Sequence, residues 1–414
     1  MRLIQLVPSC IVAMKIMTLN SGSSSLKYSL WEMPAGIELC EGVAERVTMH
    51  GSFIKHRPAG MKEVTLTTEL PSHDEALASI VELLTGDTAE GTGRISDVKG
   101  VGHRVVHGGA KFARSIIIDD EVLEAIHEFS ELAPLHNPSN LAGIRAAMRM
   151  LPNARHVAVF DTAFLTTLPR HAYMYGLPYE WYKKHRVRKY GFHGTSHKYV
   201  SRRAAVLLGK KPTDVNVITL HIGNGVSVTA VRRGLAYDHS MGFTPLEGAV
   251  MGTRCGDIDA AIVFHIMRRE NLTPAQVEEI LNKRSGLLGI TGKYVDRRDI
   301  VEAANRGDER AKLAIDIECY RLKKIIGAYA AAMNGVDALV FTAGVGENSP
   351  LHRRRICDNL EFLGIELDPL KNEAAVHGNE IDISSGDSRC KIFIIPTDEE
   401  RMIAEDVSDL LHGE

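Results

Sequence analysis

The chain has 414 residues, 44% hydrophobic and 24% charged, with 49 basic against 52 acidic side chains and a net charge of −3. That length exceeds what one core usually organises, so two α/β domains are expected. The near balance of charge argues against general nucleic-acid or membrane-surface binding, and no apolar run is long enough to cross a bilayer.

The six cysteines, Cys10, Cys40, Cys255, Cys319, Cys357 and Cys390, are scattered without C-x-x-C spacing. That pattern argues against a zinc site or redox pair and fits thiols in a reducing cytoplasm. Residues 1–13 read as an extension ahead of Met14. An upstream start is the plain explanation, since Gln5 and Pro8 break the apolar run that a signal peptide needs and only Arg2 precedes it.

In chain order, Lys15 to Leu19 reads as a strand, Asn20 to Ser25 as a turn of small polar residues, and Leu26 to Trp31 as a second strand. Ser72-His73-Asp74-Glu75 is a capping box before a helix over 76–84. The segment Gly102 to Gly109 packs Arg104, His103 and His107 between glycines. His156 to Phe164 then places Asp161 at the end of an apolar strand. Strand ends open into the ligand crevice of α/β sheets, but an aspartate there equally serves as a helix N-cap.

The strand–turn–strand grammar returns at Val215 to Leu220, His221-Ile222-Gly223-Asn224-Gly225 and Val226 to Val231, which suggests a duplicated architecture. Thr273-Pro274-Ala275-Gln276 starts a helix, and a long helix over 309–334 stops at Gly335. The strand Ala338 to Phe341 leads into a third glycine turn, Thr342 to Asn348, and Ser349-Pro350 opens a helix. Last, Ile394 to Thr397 leads into Asp398-Glu399-Glu400 and a helix over 401–411. Those carboxylates suit either a helix start or a magnesium ion.

Glycine turns after strands allow backbone N–H groups to approach a polyphosphate, because glycine lacks Cβ and accepts positive φ. None of the three is a P-loop or a dinucleotide fingerprint. Arginine or histidine between glycines recurs at Arg104, at His193 and His197, and at Arg254. One such case is usually structural; three point to cations sharing a pocket. The histidines lack the companion motif of a zinc site.

Taken in order, the segments resemble the acetate kinase family of the acetate and sugar kinase, Hsp70 and actin superfamily. They are Asn20 to Lys27, Gly102 to Gly109, Leu132 to Asn137, Phe160 to Ala163, Gly191 to His197, His221 to Gly225, Met241 to Gly248, Met251 to Asp257 and Gly344 to Asn348. The resemblance implies an α/β fold with a two-domain, duplicated actin-like (ribonuclease H-like) core and an interdomain cleft. It places the N-terminal domain at 14–163, completed by a helix near 401–414, and the nucleotide domain at 164–400. It implies a cytoplasmic homodimer that moves the γ-phosphoryl group of ATP reversibly to acetate, giving acetyl phosphate and ADP, with Mg2+, or Mn2+ as substitute. Propionate is the alternative acid. A sugar or glycerol kinase and a non-catalytic nucleotide switch are more distant alternatives.

By motif position, the resemblance assigns Asn20 and Glu399 to magnesium and makes Asp161, His193 and Arg254 catalytic. Arg104 would hold the acid, and Val106, Leu135, Phe192 and Pro245 would wall its alkyl end. His221, Ile222, Gly223, Asn224, Gly225, Asp296, Arg297, Arg298, Gly344, Val345, Gly346, Glu347 and Asn348 would hold ATP. Leu165 stands where many relatives carry histidine, and Asp398 where asparagine is common.

Overall fold

The protein is seen in a computed structural model that describes residues 12–85, 95–134, 136–375 and 378–413. Leu135, and Cys10 with most of the N-terminal extension, lie outside the described residues. The chain forms two compact units, residues 1–163 with 398–414 and residues 164–397.

The first unit is built on β1 (Met14–Ser21), β2 (Ser25–Met33), β3 (Ile37–Glu45), β4 (Phe53–Pro58), β5 (Val64–Thr67), β6 (Val98–Val105), β7 (Ile116–Ile117) and β8 (Arg155–Phe160). They form one sheet in the order β5-β4-β3-β2-β1-β6-β8-β7. β1 is antiparallel to β2 and parallel to β6, which is parallel to β8.

The second unit carries β9 (Asn216–Ile222), β10 (Val226–Arg232), β11 (Leu235–His239), β12 (Ala338–Thr342), β13 (Ile381–Asp382) and β14 (Lys391–Ile394), in the order β11-β10-β9-β12-β14-β13. β9 is antiparallel to β10 and parallel to β12, which is parallel to β14. The run β3-β2-β1-β6-β8 of the first sheet therefore repeats, strand for strand and direction for direction, as β11-β10-β9-β12-β14. Each ends on an antiparallel two-residue strand. The duplicated core is explicit in this topology.

The central strands of each sheet bury both faces, as apolar runs without alternation require, whereas β4 alternates and β5 is exposed. In the first unit, the helix Glu399–His412 lies against β1 and β6 through Ile403, Ala404 and Val407. Gly100 and Gly102 permit that approach, since a Cβ on either would run into Val407 and, at Gly102, Ile403. The helices His73–Leu83 and Asn137–Met150 pack together, and Leu77, Ile80, Ala146 and Ala147 join the core that holds Met17, Leu19 and Leu30. In the second unit, the helix Gly194–Leu207 covers Val217, Val231 and Val340, and the helix Glu309–Met333 contacts β9 and β10.

Local expectations meet three differences. The segment after β12 is no turn. Residues Ala343–Asn348 form a short helix, entered through Ala343 in the left-handed region at φ 64°. The last helix starts at Glu399, with Asp398 as N-cap accepting from Arg401 N at 2.9 Å, so aspartate does what asparagine does there. The long helix ends on Asn334, left-handed at φ 59°, one residue before Gly335. The Thr273 capping box is present as expected. At Ser72 the cap accepts from Asp74 N, and the helix begins at His73.

Candidate active site

In the first unit, parallel pairing sets Arg104 opposite Val159 at the ends of β6 and β8, and Asp161 follows one step beyond β8. Asp161 is 1% exposed and accepts both arms of the Arg104 fork, from Nε at 3.0 Å and from Nη2 at 2.6 Å. It is therefore an ion-pair partner and not the N-cap that the sequence left open. Arg104 Nη1 also donates to Asn20 Oδ1 at 3.2 Å, and Glu399 Oε2 lies 3.8 Å from Nε. Burial works against the arginine cation, but Asp161 and Glu399 outweigh it and raise its pKa.

Burial lifts the Glu399 carboxyl to about 7, against the pull of Arg104 and with Asp161 and Glu400 adding to it. The Glu399 carboxyl and the Asn20 amide oxygen thus both lie against the Arg104 guanidinium. Hard oxygen donors of this kind suit a divalent ion that keeps waters and phosphate oxygens as its other ligands. Among the described residues no group of three or more His, Cys, Asp or Glu could hold a metal by itself.

Val106, buried, follows β6, and its N–H donates to Asn140 Oδ1 at 3.1 Å. Asn140 Nδ2 donates to Ser21 O at 2.7 Å, tying the segment after β6 to the chain beside Asn20. His103 and His107 do not join Arg104. His103 Nε2 meets His156 Nδ1 at 3.0 Å in the interior, and His107 Nδ1 accepts from Gly109 N.

In the second unit, cross-strand pairing sets Ser227 opposite His221 and Thr229 opposite Thr219. The helix Gly194–Leu207 brings His197 against this polar end of the sheet, where it bonds Thr219 Oγ1 at 2.6 Å and Ser227 Oγ at 2.7 Å. His193, left-handed at φ 57° just before that helix, bonds Ser227 Oγ through Nδ1 at 2.8 Å. Its ring stacks on His221 at 4.2 Å. A non-glycine residue held in this region is strained, a feature that concentrates at functional sites.

Arg254 donates through Nη1 to Pro245 O at 3.3 Å. Among the described residues its guanidinium makes no ion pair, and burial lowers its pKa. A half-buried cation without a counter-charge is a receptor for an anion. Phe192 is buried, with its N–H on His239 Nε2 at 3.1 Å.

Gly223 and Gly225 do not take positive φ. The space beside Gly225 is what counts, since a Cβ there would lie 3.4 Å from His193 Cε1 and 3.5 Å from Arg254 Nη1. Asn224 is exposed and Ile222 buried. The Gly223 carbonyl accepts from Arg297 Nη1 at 2.9 Å. Arg297 is otherwise committed to Glu318, with Nη2 to Oε1 at 2.6 Å, so its side chain braces the turn from behind. Arg298 is exposed and forked onto Asp296, which caps the helix Arg297–Asn305.

In the helix Ala343–Asn348, Gly344 and Asn348 are exposed and joined by Asn348 Nδ2 to Gly344 O at 2.9 Å. Glu347 accepts from Thr397 N, and the carbonyls of Gly346 and Glu347 accept from the buried Arg353 at 3.0 and 2.8 Å. Val345 lies between, half-buried. Leu165 is buried with Leu168 and Ala236, an apolar setting that suits it where a histidine would need partners.

Arg297, Glu318, Arg353, Asn140 and Ser227 support these segments. Only Ser227 left a local trace in the sequence: Ser227 and Thr229 are polar at alternate positions of an otherwise apolar strand.

Among the described residues six buried histidines, His56, His103, His107, His156, His197 and His239, have their pKa lowered by burial. The unfolded chain therefore binds more protons below about pH 6.5, so their stabilisation is complete above that value and is lost on acidification. Each such group contributes a slope of up to about 1.4 kcal/mol per pH unit. Thermal unfolding is expected to shift down by several degrees between pH 7 and pH 5. A constant midpoint would contradict this.

A model of the acetokinase family matches residues 15–405. An acetate kinase of Thermotoga petrophila is 55% identical over 399 residues, 96% of this chain and 99% of that protein. The crystal structure of Porphyromonas gingivalis acetate kinase superposes with a TM-score of 0.91 at 47% identity, covering 96% of this chain and 100% of that one. A propionate kinase from Francisella tularensis superposes with a TM-score of 0.88 at 40% identity, covering 96% and 99%. The chain belongs to the acetokinase family, whose curated relatives here are acetate kinases.

Proposed function

We propose that this protein transfers the γ-phosphoryl group of ATP to acetate, reversibly and directly, with Mg2+ bound by Asn20 and Glu399. The observation that carries the reading is Arg254, a half-buried guanidinium without a carboxylate partner among the described residues, set beside His193 and the glycine turn.

A short carboxylic acid has a pKa near that of Asp or Glu, roughly 4, so acetate arrives ionised and needs no general base. The barrier is repulsion between anions. A like-charged pair at 4 Å costs about 4 kcal/mol at an effective dielectric of about 20. Arginine forks offset that cost for carboxylate and phosphate better than lysine does.

Asp161 spends both oxygens on Arg104, which supports a role in orienting that cation and not in removing a proton. With its fork on Asp161 and an Nη1 hydrogen on Asn20, Arg104 has one N–H on each terminal nitrogen for the acid. His193 meets the migrating phosphoryl group. The turn His221 to Gly225, the helix Arg297–Asn305 with its cap Asp296, and Gly344 to Asn348 hold the nucleotide. When bound, magnesium neutralises the β- and γ-phosphate oxygens.

The propionate kinase among the similar structures keeps that acid as the alternative. Val106, Phe192 and Pro245 wall the alkyl end in this reading, and Val106 is bulkier than alanine. Val106→Ala is expected to raise the propionate-to-acetate ratio of kcat/KM by about fourfold, the worth of one methylene; an unchanged ratio would remove Val106 from the pocket.

A homodimer is part of the proposal. The helix Ala261–Glu270 has no buried residue and exposes Ile262 and Phe264, with Ile258 just before it. A monomeric mass in solution would contradict that. The free thiols Cys40, Cys255, Cys319, Cys357 and Cys390 support a cytoplasmic setting.

ADP release with acetate, propionate, butyrate and glycerol tests the reading. Acetate is expected to give the highest kcat/KM, and turnover on glycerol alone would contradict it.

A further inference from the structure

The hydroxyl of Ser227 stands between two imidazoles, 2.8 Å from His193 Nδ1 and 2.7 Å from His197 Nε2. A serine hydroxyl has one proton to give. The two ring nitrogens cannot both be bare, and if both donated to the oxygen's lone pairs the hydroxyl proton, 0% exposed and with no third acceptor among the described residues, would go unused. With both rings neutral, one ring nitrogen therefore carries hydrogen and the other is bare, so the tautomers of His193 and His197 are coupled in opposite senses.

The far end of the chain sets which sense holds. His197 is 0% exposed, and its Nδ1 lies 2.6 Å from Thr219 Oγ1. Thr219 Oγ1 donates in turn to the carbonyl oxygen of Thr229 at 3.5 Å, and a carbonyl only accepts. Thr219 thus receives the proton of His197 Nδ1. His197 Nε2 is bare and accepts from Ser227, and Ser227 Oγ accepts from His193 Nδ1–H. Next door, Phe192 N–H occupies His239 Nε2, so His239 carries its proton on Nδ1 and gives it to the Thr229 hydroxyl at 2.8 Å. Every donor and acceptor in the set is used consistently.

We infer that Ser227 and His197 are positioning residues that hold the proton of His193 on Nδ1. The inference rests on the proposed contact between His193 and the migrating phosphoryl group. In that contact His193 offers an N–H from Nε2 only as the doubly protonated imidazolium, because the neutral ring would present a lone pair to an anionic oxygen. The relay accepts that cation without losing a bond, since Nδ1–H points at Ser227 in both charge states. Among the groups of the second unit that face the ring are His221, stacked on it, and His197, His239 and the Arg254 guanidinium. Cooperative chains of this kind strengthen in a dry interior.

Two-bond 15N–1H correlation spectra of the full chain, labelled with [15N]histidine and recorded at pH 8.5, test the inference. His193→Gln assigns the signals. The expected pattern is a protonated Nδ1 and a bare Nε2 for His193, and a swap toward Nε2–H in Ser227→Ala. Ser227→Ala is also expected to lower kcat about tenfold, the worth of one hydrogen bond to an ionised group, with KM for ATP and acetate changed less than about twofold. In the His193→Gln background the same change should cost nothing further.

An Nε2–H tautomer in the unsubstituted protein would overturn the inference, and this readout stands even if Ser227→Ala does not fold. Additive losses in the double variant would overturn it too. Failure to phosphorylate acetate, with the Nδ1–H pattern intact, would instead overturn the reading of the reaction on which the positioning role rests.

Discussion

Arg254→Lys is expected to lower kcat for acetyl phosphate formation by about 100-fold or more, the scale on which a preorganised charge donor acts at a developing oxyanion. Arg254 directs one arm to Pro245 O and lies along Gly225 beside His193. A lysine could bring the charge but not two N–H groups in one plane, so it would lose either its hold on the Pro245 carbonyl or its bond to the anion. Because Arg254 has no carboxylate partner among the described residues, no buried ion pair is broken and stability should change little. Steady-state kinetics together with a melting curve check both halves. Near-normal turnover would exclude Arg254 from the transferring phosphate.

Arg297→Met is expected to destabilise the protein by about 3–5 kcal/mol, the cost of stranding a buried charge. The Arg297 and Glu318 side chains are 7% and 1% exposed, with three nitrogen–oxygen bonds between them. Although burial opposes its ionisation, Arg297 and His352 hold the Glu318 carboxyl down to about 2. That depressed value is stability present above the unfolded pKa near 4.5 and lost as pH falls toward 2. Removing Arg297 strands the carboxylate and also deprives the Gly223 carbonyl of its donor. Urea unfolding should show the loss, and KM for ATP should rise while KM for acetate stays. In Arg297→Met with Glu318→Leu most of the stability should return, but the ATP effect should not. A single variant as stable as the parent would contradict this account of the pair.

The duplication was legible because two hairpins, 15–31 and 215–231, keep the same spacing of apolar strands around a small-residue turn. Asp161 was legible because an apolar run ends directly on it. The third glycine segment was misread because Gly344 and Gly346 look like a turn, whereas Ala343 in the left-handed region turns the chain straight into a helix. The last helix was begun at 401 because its three acids were left open between a helix start and a magnesium site; they are the helix start, where acids are favoured. Arg297, grouped by sequence with the nucleotide contacts, is committed to Glu318, 21 residues on, and spacing along the chain gives no sign of that. The fork of Arg104 on Asp161 is equally non-local, since two strands must pair before the charges meet.

Trapping of acyl phosphate as hydroxamate, from ATP and acetate with and without Mg2+, tests the central claim most directly. Hydroxamate is expected to form at a rate matching ADP release and to vanish when EDTA removes the ion. ATP consumed at an undiminished rate with no hydroxamate formed would contradict the account.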